Sequence, residues 1–466
     1  MRFDVVTIGG GFSGLVTACR AAQLGQRVAV LEQGSDERYL CASRWTNGVI
    51  NVMGSSILSD PALLEEAILK GGGEAARPEM ARAVAQNGKR TLEWLGAQGG
   101  RFVQRIPDKD QPAHQVLAPP RRLQAGLDWE GHGGDVTMRL LEAQIKERGG
   151  EVLRGTKAEK LIVTDGACSG VEAIRHGERV RIEARAVVIA DGGFPANHEM
   201  LARYITPHPD RVLCRAWSGS QGDGIRMAEA AGAAIGGFGK FYGHVHHKDA
   251  MTNNQLWPYP HCDAAAEIAI LIDRSGQRFT DEGVGGVCMA NAIAQLADPL
   301  SSHLIMDDTI WRNEPKISLL PPINPTMTNA GGKVTTAPDL ASLAAQIGAP
   351  ADALAATVAS HNDAVARGDF AALPVSRSVR KHKPMPIAKA PFHAVPLCAG
   401  ITGTMGGVVI DANAQAQTPA GAPFPGLYTV GTPVAGLEGG PRAGYVGGLS
   451  KAFVLGLLAA EHIAAN

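Results

Sequence analysis

The sequence has no long hydrophobic run and no excess of charge of either sign. Its 466 residues include 44 Lys and Arg and 45 Asp and Glu. A balanced chain of this kind offers no electrostatic footprint for nucleic acid or for an anionic membrane surface. The apolar stretch at residues 454–458 is too short to span a bilayer. We therefore expect neither nucleic acid nor stable membrane insertion among the partners of this protein.

Cysteine is sparse, and aromatic residues make up only 5% of the chain. The seven cysteines are scattered and form no Cys-x-x-Cys pair, which is typical of reduced, mostly buried thiols. An acidic residue, Asp4, stands where a secretory signal would carry basic residues. These features predict a cytoplasmic protein. The 57 glycines indicate tight turns and close packing rather than disorder, and the length favours two domains over one.

The most informative segment is the first 32 residues. Residues 4–8 are predicted as a buried strand, a helix is predicted from the glycines that follow to about Gly25, and residues 27–31 are predicted as a second strand. Gly9, Gly11 and Gly14 fit the dinucleotide fingerprint in its required context of strand, turn and helix.

Each fingerprint residue has a physical task. Gly9 permits the tight turn, Gly11 lets the backbone approach a pyrophosphate, and Gly14 allows close packing of helix on strand. The free N–H groups at the start of the helix would hold the phosphates, and Glu32 would accept hydrogen bonds from ribose hydroxyls. The alternative is a glycine-rich turn in an ordinary α/β protein.

The remaining chain is predicted to divide into three parts, at residues 1–235, 236–388 and 389–466. In the first part we expect a helix at 136–147, strands at 152–163, 171–182 and 186–190, and a turn at Asp165-Gly166. The middle part is richer in His, Trp and Pro and includes Ala-rich helices at 338–347 and 350–366. The last part ends in an apolar helix that runs to about Ile463.

Six further motifs occur in one order along the chain. They are residues 188–194 (VIADGGF), 222–228 (GDGIRMA), 276–282 (GQRFTDE), 404–408 (TMGGV), 425–428 (PGLY) and 445–448 (YVGG). With the first 32 residues, they make the chain resemble the superfamily of FAD-dependent fumarate reductases, 3-ketosteroid dehydrogenases and tricarballylate dehydrogenases. The resemblance covers almost the whole length. It implies an α/β fold, in which a Rossmann-like FAD-binding domain carries an inserted α+β capping domain and the active site lies at their junction.

The resemblance also implies which residues contact FAD. The expected set is Gly9, Gly11, Ser13, Gly14, Glu32, Ser43, Thr46, Asn47, Gly48, Asp191, Gly192, Gly431, Gly448, Leu449 and Ser450. The start of the last helix, at residues 447–450, suits the flavin pyrimidine edge because its N–H groups would stabilise negative charge there. Succinate dehydrogenases attach FAD through a His in the loop that here spans residues 42–48, and this loop has none. We therefore expect noncovalent FAD.

Several departures argue against a plain fumarate reductase. Soluble fumarate reductases carry an Arg proton donor shortly after the segment that matches 276–282, and residues 283–287 contain no Arg. They also have a His where Thr402 stands and a Glu where Thr432 stands. Tyr445 before the paired glycines instead resembles the ketosteroid and tricarballylate dehydrogenase branch.

Three residues are candidates for the chemistry. Tyr445 could act as acid or base, or could bind a substrate oxygen, although packing under the flavin is the alternative. Arg442 could grip a carboxylate with two hydrogen bonds, and the alternative is a surface salt bridge. His244 is our choice from the His-rich segment 242–247, as a substrate-binding or proton-transferring residue. In an extended segment, His246 would share its face.

A metal site is predicted to be absent. The His cluster has suitable side chains, but no Cys or carboxylate partner stands at ligand spacing in the sequence. Residues 257–261, which include Trp257 and His261, are predicted as a loop of the capping domain.

These features together predict an FAD-dependent dehydrogenase or reductase. It would act on a C–C or C=C bond beside a carboxylate or carbonyl, by hydride exchange with the flavin and proton transfer at the neighbouring carbon. The substrate is expected to be a small molecule, carboxylated or a cyclic ketone. The alternatives are a cyclic-ketone desaturase, an electron-transfer subunit that reduces a membrane or iron–sulfur partner, and an NAD(P)-dependent dehydrogenase.

Overall fold

A computed structural model describes residues 1–105, 113–317 and 320–466. Its helices are α1 Phe12–Gln23, α2 Ala42–Trp45, α3 Pro61–Gly72, α4 Pro78–Ala97, α5 Gly133–Glu147, α6 His198–Tyr204, α7 Asp223–Ala231, α8 Asp263–Ile268, α9 Gly286–Ala294, α10 Asp308–Ile317, α11 Ile323–Asn329, α12 Leu340–Ile347, α13 Ala351–Arg367 and α14 Gly448–Ala465.

The strands are β1 Arg2–Ile8, β2 Val28–Glu32, β3 Val49–Val52, β4 Ser55–Ser56, β5 Phe102–Arg105, β6 His114–Leu117, β7 Glu151–Arg154, β8 Thr156–Thr164, β9 Ala167–Arg175, β10 Glu178–Ile189, β11 Leu213–Cys214, β12 Ile235–Gly236, β13 Phe241–His247, β14 Ile270–Ile272, β15 His303–Asp307, β16 Thr335–Ala337, β17 Phe392–Thr404, β18 Gly407–Val409, β19 Gln415–Gln417, β20 Pro423–Thr429 and β21 Val434–Ala435.

The first sheet is the expected nucleotide-binding one. Its strands run in the order β19-β20-β10-β1-β2-β7, and β20, β10, β1, β2 and β7 are parallel to one another. All five residues of β2 are buried, as expected for a parallel strand covered on both faces. Helix α1 packs against α14, with the Phe12 and Phe453 ring centroids 5.0 Å apart. The α/β fold predicted from the first 32 residues is confirmed.

Two strand predictions in the first part are wrong. Residues 152–163 form two strands, because Gly155 adopts φ +64° and ends β7, which pairs with β2, before β8 begins. Residues 171–182 form a hairpin of β9 and β10 that turns at His176 and Gly177, where φ is +50° and +89°. Apolar residues continue on both sides of each turn. The hydrophobic pattern therefore predicts one continuous strand where the structure has two. The turn at Asp165-Gly166 is confirmed.

A second sheet and a second core belong to the middle of the chain. Strand β17 is central, because β11, β13, β15 and β16 all pair with it. The apolar residues packed around this sheet extend from Phe194 to Ile401. The division at 235/236 and 388/389 stays a prediction. The packing favours boundaries nearer to 193 and 404, because β17 pairs with the middle segment.

Helix α14 is the one described helix with the length and hydropathy to cross a membrane, and 67% of it is buried inside the fold. It packs against α1 and α4. Its apolar composition therefore has a structural explanation in this core.

Candidate active site

The turn between β1 and α1 leaves no room for a side chain at Gly9 or Gly14. Gly9 has φ +105°, and a Cβ there would lie 2.6 Å from the Ala190 carbonyl oxygen. A Cβ on Gly14 would lie 2.0 Å from the Gly9 oxygen. Both contacts are far closer than atoms can approach. The turn therefore brings bare backbone and the first turn of α1 to the edge of the sheet, which is the arrangement that binds phosphate groups.

Glu32 is buried beside this turn. Its two carboxylate oxygens accept hydrogen bonds from the backbone N–H groups of Gly10, at 2.9 Å, and Gly34, at 2.7 Å. Burial raises the pKa of Glu32, and these two hydrogen bonds oppose that shift. Each oxygen can accept a further hydrogen bond, so the carboxylate remains suited to a ribose hydroxyl.

Asp191 ends the neighbouring strand and faces the same cleft. Its Oδ2 accepts a hydrogen bond from the Gly224 N–H at 2.7 Å, and its Oδ1 has no partner among the described residues. Burial raises the pKa of Asp191 to about 7.

A larger cavity of about 460 Å³ adjoins this cleft, and both are lined by Ser13, Ala42, Ser43 and Thr432. Among the described residues that line the cavity, four are Arg or Lys and none is Asp or Glu. The cationic residues are Arg105, Arg121, Arg215 and Lys381. A cavity with this imbalance of charge attracts anions.

Tyr445 lies in the cavity wall between the cleft and the capping segment. Its hydroxyl accepts a hydrogen bond from the Gly448 N–H at 2.6 Å, at the start of α14. Its ring stacks on Tyr242, with centroids 3.7 Å apart and planes 12° apart. Burial raises the pKa of Tyr445 well above its usual value. The phenol therefore keeps its proton near neutral pH and can donate it to a ligand oxygen.

His244 is held between two partners. Its Nδ1 lies 2.6 Å from Asp263 Oδ2, and its Nε2 lies 3.1 Å from the Tyr242 hydroxyl. Asp263 Oδ1 accepts the Val245 N–H at 2.9 Å, which fixes the carboxylate in place. When Nδ1 of the neutral imidazole donates a hydrogen bond to the carboxylate, Nε2 is left as the acceptor for the Tyr242 hydroxyl. Tyr242 and Asp263 were missed by sequence reasoning.

The approach of Asp263 depends on Gly286. A Cβ on Gly286 would lie 1.8 Å from Asp263 Oδ2. Burial raises the pKa of Asp263, but the His261 and His244 imidazoles and the hydrogen bonds outweigh it, so the pKa falls well below its usual range. Asp263 is therefore ionised at neutral pH.

Arg442, predicted to grip a carboxylate, has an exposed side chain that does not line the cavity. Arg215 lines it instead and is only 9% exposed. Its Nη1 donates to Thr402 Oγ1 at 3.0 Å and its Nη2 to the Pro258 oxygen at 3.1 Å, whereas Nε has no described partner. Little in the sequence points to Arg215 as a site residue, because it is simply an Arg that follows the short strand β11.

Comparisons with known proteins agree with this geometry. The sequence model of the FAD binding domain family matches residues 4–444. The chain belongs to this family. The flavoprotein is 26% identical to the fumarate reductase (cytochrome) of Shewanella frigidimarina, over 99% of this chain and 77% of that protein. It is also 26% identical to the NADH:fumarate oxidoreductase of Klebsiella pneumoniae, over 95% of this chain but only 45% of that protein.

Among solved structures, the 3-ketosteroid delta1-dehydrogenase from Sterolibacterium denitrificans aligns with a TM-score of 0.77 at 21% identity, over 100% of this chain and 99% of that one. This likeness confirms the fold. The family match and these relatives show that the flavoprotein is an FAD-dependent oxidoreductase.

The structure brings most of the predicted FAD residues together. Gly9, Gly11, Ser13, Glu32, Ser43, Asp191 and Gly192 line the cleft. Thr46, Asn47, Gly448 and Leu449 line the cavity. The others lie just behind these walls: Gly14 beneath the turn, Gly48 against Leu117, Gly431 against Ser13, and Ser450, which donates to the Asn51 oxygen at 2.6 Å. The glycine cradle, the helix start and the continuous cleft fit an extended dinucleotide.

The fold supplies the carboxylate that the sequence did not reveal near the His cluster. Ligand atoms of His244, His261 and Asp263 lie within 4.8 Å of one another. Asp263 Oδ2 is already engaged by the hydrogen bond from His244. The positive charge of Arg215 beside the cluster disfavours a bound cation. The absence of a metal stays a prediction.

Proposed function

We propose that this flavoprotein oxidises or reduces a carbon–carbon bond beside a carboxylate in a small molecule. The single observation that carries the proposal is the cavity itself: its described lining residues include two buried arginines, Tyr445, Tyr242 and His244, and no Asp or Glu. FAD would supply or accept the hydride when bound. Every other task falls to side chains of this chain.

Arg215 is the proposed carboxylate anchor. Two of its nitrogens are held by Thr402 and Pro258, so the guanidinium is fixed before a substrate arrives. Its Nε is buried without a described partner, and a buried donor in that state is costly until an acceptor reaches it. A carboxylate would supply that acceptor and neutralise the buried charge.

The proposed proton path joins Tyr242 and His244, and Asp263 is the anionic partner of the imidazole. Burial raises the pKa of Tyr242 to about 12, so this phenol gives up its proton only when an acceptor is positioned for it. The His244 Nε2 atom is that acceptor, and Asp263 stabilises the imidazolium that would form. In the reductive direction these steps would reverse: a His244 imidazolium, protonated from solvent, would return its Nε2 proton to Tyr242 as Tyr242 donates its own proton to the substrate carbon. Tyr445 would donate a hydrogen bond to the substrate oxygen.

We propose that FAD is bound without a covalent link, because residues 42–48 contain no His. The cytoplasmic location and an electron-acceptor protein stay predictions.

The test of this function compares charged with neutral substrates. Anaerobic bleaching of the flavin would be screened with small carboxylates and with cyclic ketones. For a carboxylate that bleaches the flavin, Arg215→Gln should raise KM about 10- to 100-fold, because it removes a charge-assisted contact contributing about 1.5–3 kcal/mol. The neutral amide of the same compound should be hardly affected.

The exposed Arg442 provides the matched control. Arg442→Gln should leave KM for both compounds unchanged, with the FAD content equal in all variants. Equal losses for charged and neutral compounds in Arg215→Gln would refute the carboxylate anchor.

The second candidate is a cyclic-ketone desaturase. The stacked pair of Tyr242 and Tyr445 favours it, because two phenols in one cavity wall suit a ketone oxygen. Bleaching by cyclic ketones alone would select this candidate. An electron-transfer subunit would show no bleaching by either class without its partner, and an NAD(P)-dependent dehydrogenase would contain no flavin.

A further inference from the structure

A buried ion pair lies behind the loop that carries Tyr445. Glu438 precedes this loop and Lys451 lies near the start of α14, and their side chains are only 4% and 2% exposed. The Lys451 ammonium donates to Glu438 Oε2. Neither residue is among the described residues that line the cavity. The pair is therefore screened from solvent, and the proposed function gives it no role.

Stability alone is a weak reason for an ion pair in this position. Each charge loses its hydration on burial, and apolar side chains of similar volume often give an equally stable fold. Lys451 is also the fourth residue of α14, where the positive end of the helix dipole disfavours a cation. The geometry around the pair indicates what else it does.

The Glu438 carboxylate joins the chain before Tyr445 to the chain after it. Its Oε1 accepts a hydrogen bond from the Val446 N–H at 3.0 Å, and its Oε2 is held by the Lys451 ammonium. With both oxygens engaged, Glu438 ties its own segment to the residue that follows Tyr445 and to the helix behind it. The backbone after Tyr445 is therefore fixed by this carboxylate.

The backbone in front of Tyr445 is fixed as well. Gly439 and Gly444 exchange two hydrogen bonds, of 3.0 and 2.7 Å, which close the residues between them into a hairpin. A Cβ on Gly444 would lie 2.3 Å from the Gly71 oxygen, so the hairpin rests directly on the end of α3. Tyr445 follows this hairpin at once, and Glu438 is the side chain that closes the loop on its other side.

The charge of Glu438 also acts on the Tyr445 phenol. Burial raises the pKa of Tyr445 most, the Tyr242 phenol and the Glu438 carboxylate raise it further, and the hydrogen bond from the Gly448 N–H opposes them. A phenolate near a carboxylate is disfavoured. Glu438 therefore helps to keep on Tyr445 the proton with which it would bind a substrate oxygen.

We propose that Glu438, held by Lys451, is a positioning residue for Tyr445. It keeps the phenol in the place and in the protonated form in which it donates a hydrogen bond to the substrate oxygen. This inference rests on the proposed function, in which Tyr445 has that task. The pair does not touch the substrate and acts through the Val446 backbone and through its charge.

The test is a double-mutant cycle between the ion pair and Tyr445 in the FAD-loaded protein. Glu438→Gln together with Lys451→Met replaces the pair by uncharged side chains of similar size, so that no unpaired charge is left buried. This paired variant should bleach the flavin about 10-fold more slowly with a carboxylate from the substrate screen, because a misplaced donor stabilises the transition state less. KM should be nearly unchanged. Lys451→Met alone, which keeps the Val446 contact, is the second variant and should show a smaller loss of the same kind.

Tyr445→Phe decides how the loss arises. If the pair acts through the phenol, adding the paired substitutions to Tyr445→Phe should slow bleaching no further, because no hydroxyl is left to position. A 10-fold loss that appears again in Tyr445→Phe, or a wild-type rate in the paired variant, overturns the inference and leaves the role of Tyr445 intact. A wild-type rate in Tyr445→Phe would remove that role, and this inference with it.

Glu461 is the matched control, because it lies at the other end of α14 and its carboxylate pairs with Arg20 and Arg90, each at 2.9 Å. Glu461→Gln should keep the wild-type bleaching rate, and in Tyr445→Phe it should leave the slower rate unchanged. FAD absorbance and Tm should establish that each variant is folded and loaded. A loss in Glu461→Gln equal to that in the paired variant would show a general effect of α14 and refute the positioning role.

Discussion

The sharpest test of the proton path is the substitution Asp263→Asn, which changes one atom and removes one charge. In the wild type, Oδ2 accepts a hydrogen bond from His244 Nδ1 at 2.6 Å, and Oδ1 accepts one from the Val245 N–H at 2.9 Å. An amide has only one accepting oxygen. If that oxygen stays with Val245, the amide NH₂ faces Nδ1 and forces the imidazole proton to Nε2. Nε2 then no longer accepts the Tyr242 proton.

The expected magnitude follows from the bond that is lost. A charge-assisted hydrogen bond contributes about 1.5–3 kcal/mol, which corresponds to a fall of about 10- to 100-fold in the rate of flavin bleaching. KM and FAD content should change little, because Asp263 does not line the cavity. The measurement is anaerobic stopped-flow bleaching with the substrate found in the charge screen.

The same substitution predicts a dependence of stability on pH. The folded-state pKa of Asp263 lies below the unfolded value of about 3.9. The carboxylate therefore stabilises the fold fully above that unfolded value, and this contribution is lost as pH falls through the folded pKa. The difference in free energy of unfolding between wild type and Asp263→Asn should shrink as pH falls below about 4.

Asp249 is the control, because it also pairs with a His of β13, at 3.7 Å from His247, but lies outside the cavity. Asp249→Asn should keep the wild-type bleaching rate. A wild-type rate in Asp263→Asn, with Asp249→Asn also unchanged, would refute the role of His244 in proton transfer.

Three further predictions concern the phenol and the cofactor. Tyr445→Phe should retain FAD and lose about 10²-fold in turnover, the usual cost of removing a hydrogen-bond donor to an oxygen that gains charge in the reaction; near-normal turnover would leave Tyr445 a packing role. Gly14→Ala should yield protein with little bound FAD, because its Cβ would lie 2.0 Å from the Gly9 oxygen; full FAD occupancy would contradict the assigned cradle. Acid precipitation should release all the yellow colour, and flavin in the washed pellet would exclude noncovalent binding.

Local features of the fold were readable from the sequence. The strand, the turn and the helix at residues 2–23 are contiguous, and backbone atoms leave no space for a side chain at Gly9 or Gly14. Turns were predicted less accurately from the sequence. The polar turn at His176 and Gly177 was overlooked because the apolar pattern continues on both sides of it.

The arrangement of the cavity was decided only by tertiary structure. Asp263 reaches His244 because α8 and β13 lie side by side and Gly286 leaves space for the carboxylate. The Tyr242–Tyr445 stack joins residues about 200 positions apart, a contact that no local pattern encodes. Arg442 was the predicted carboxylate ligand because it stands three residues before Tyr445. In the structure its side chain is exposed, and Arg215 is the buried arginine in the cavity. The sequence by itself determined the dinucleotide turn, because that geometry depends on consecutive residues. The packing of distant segments determined which charges and protons face the substrate.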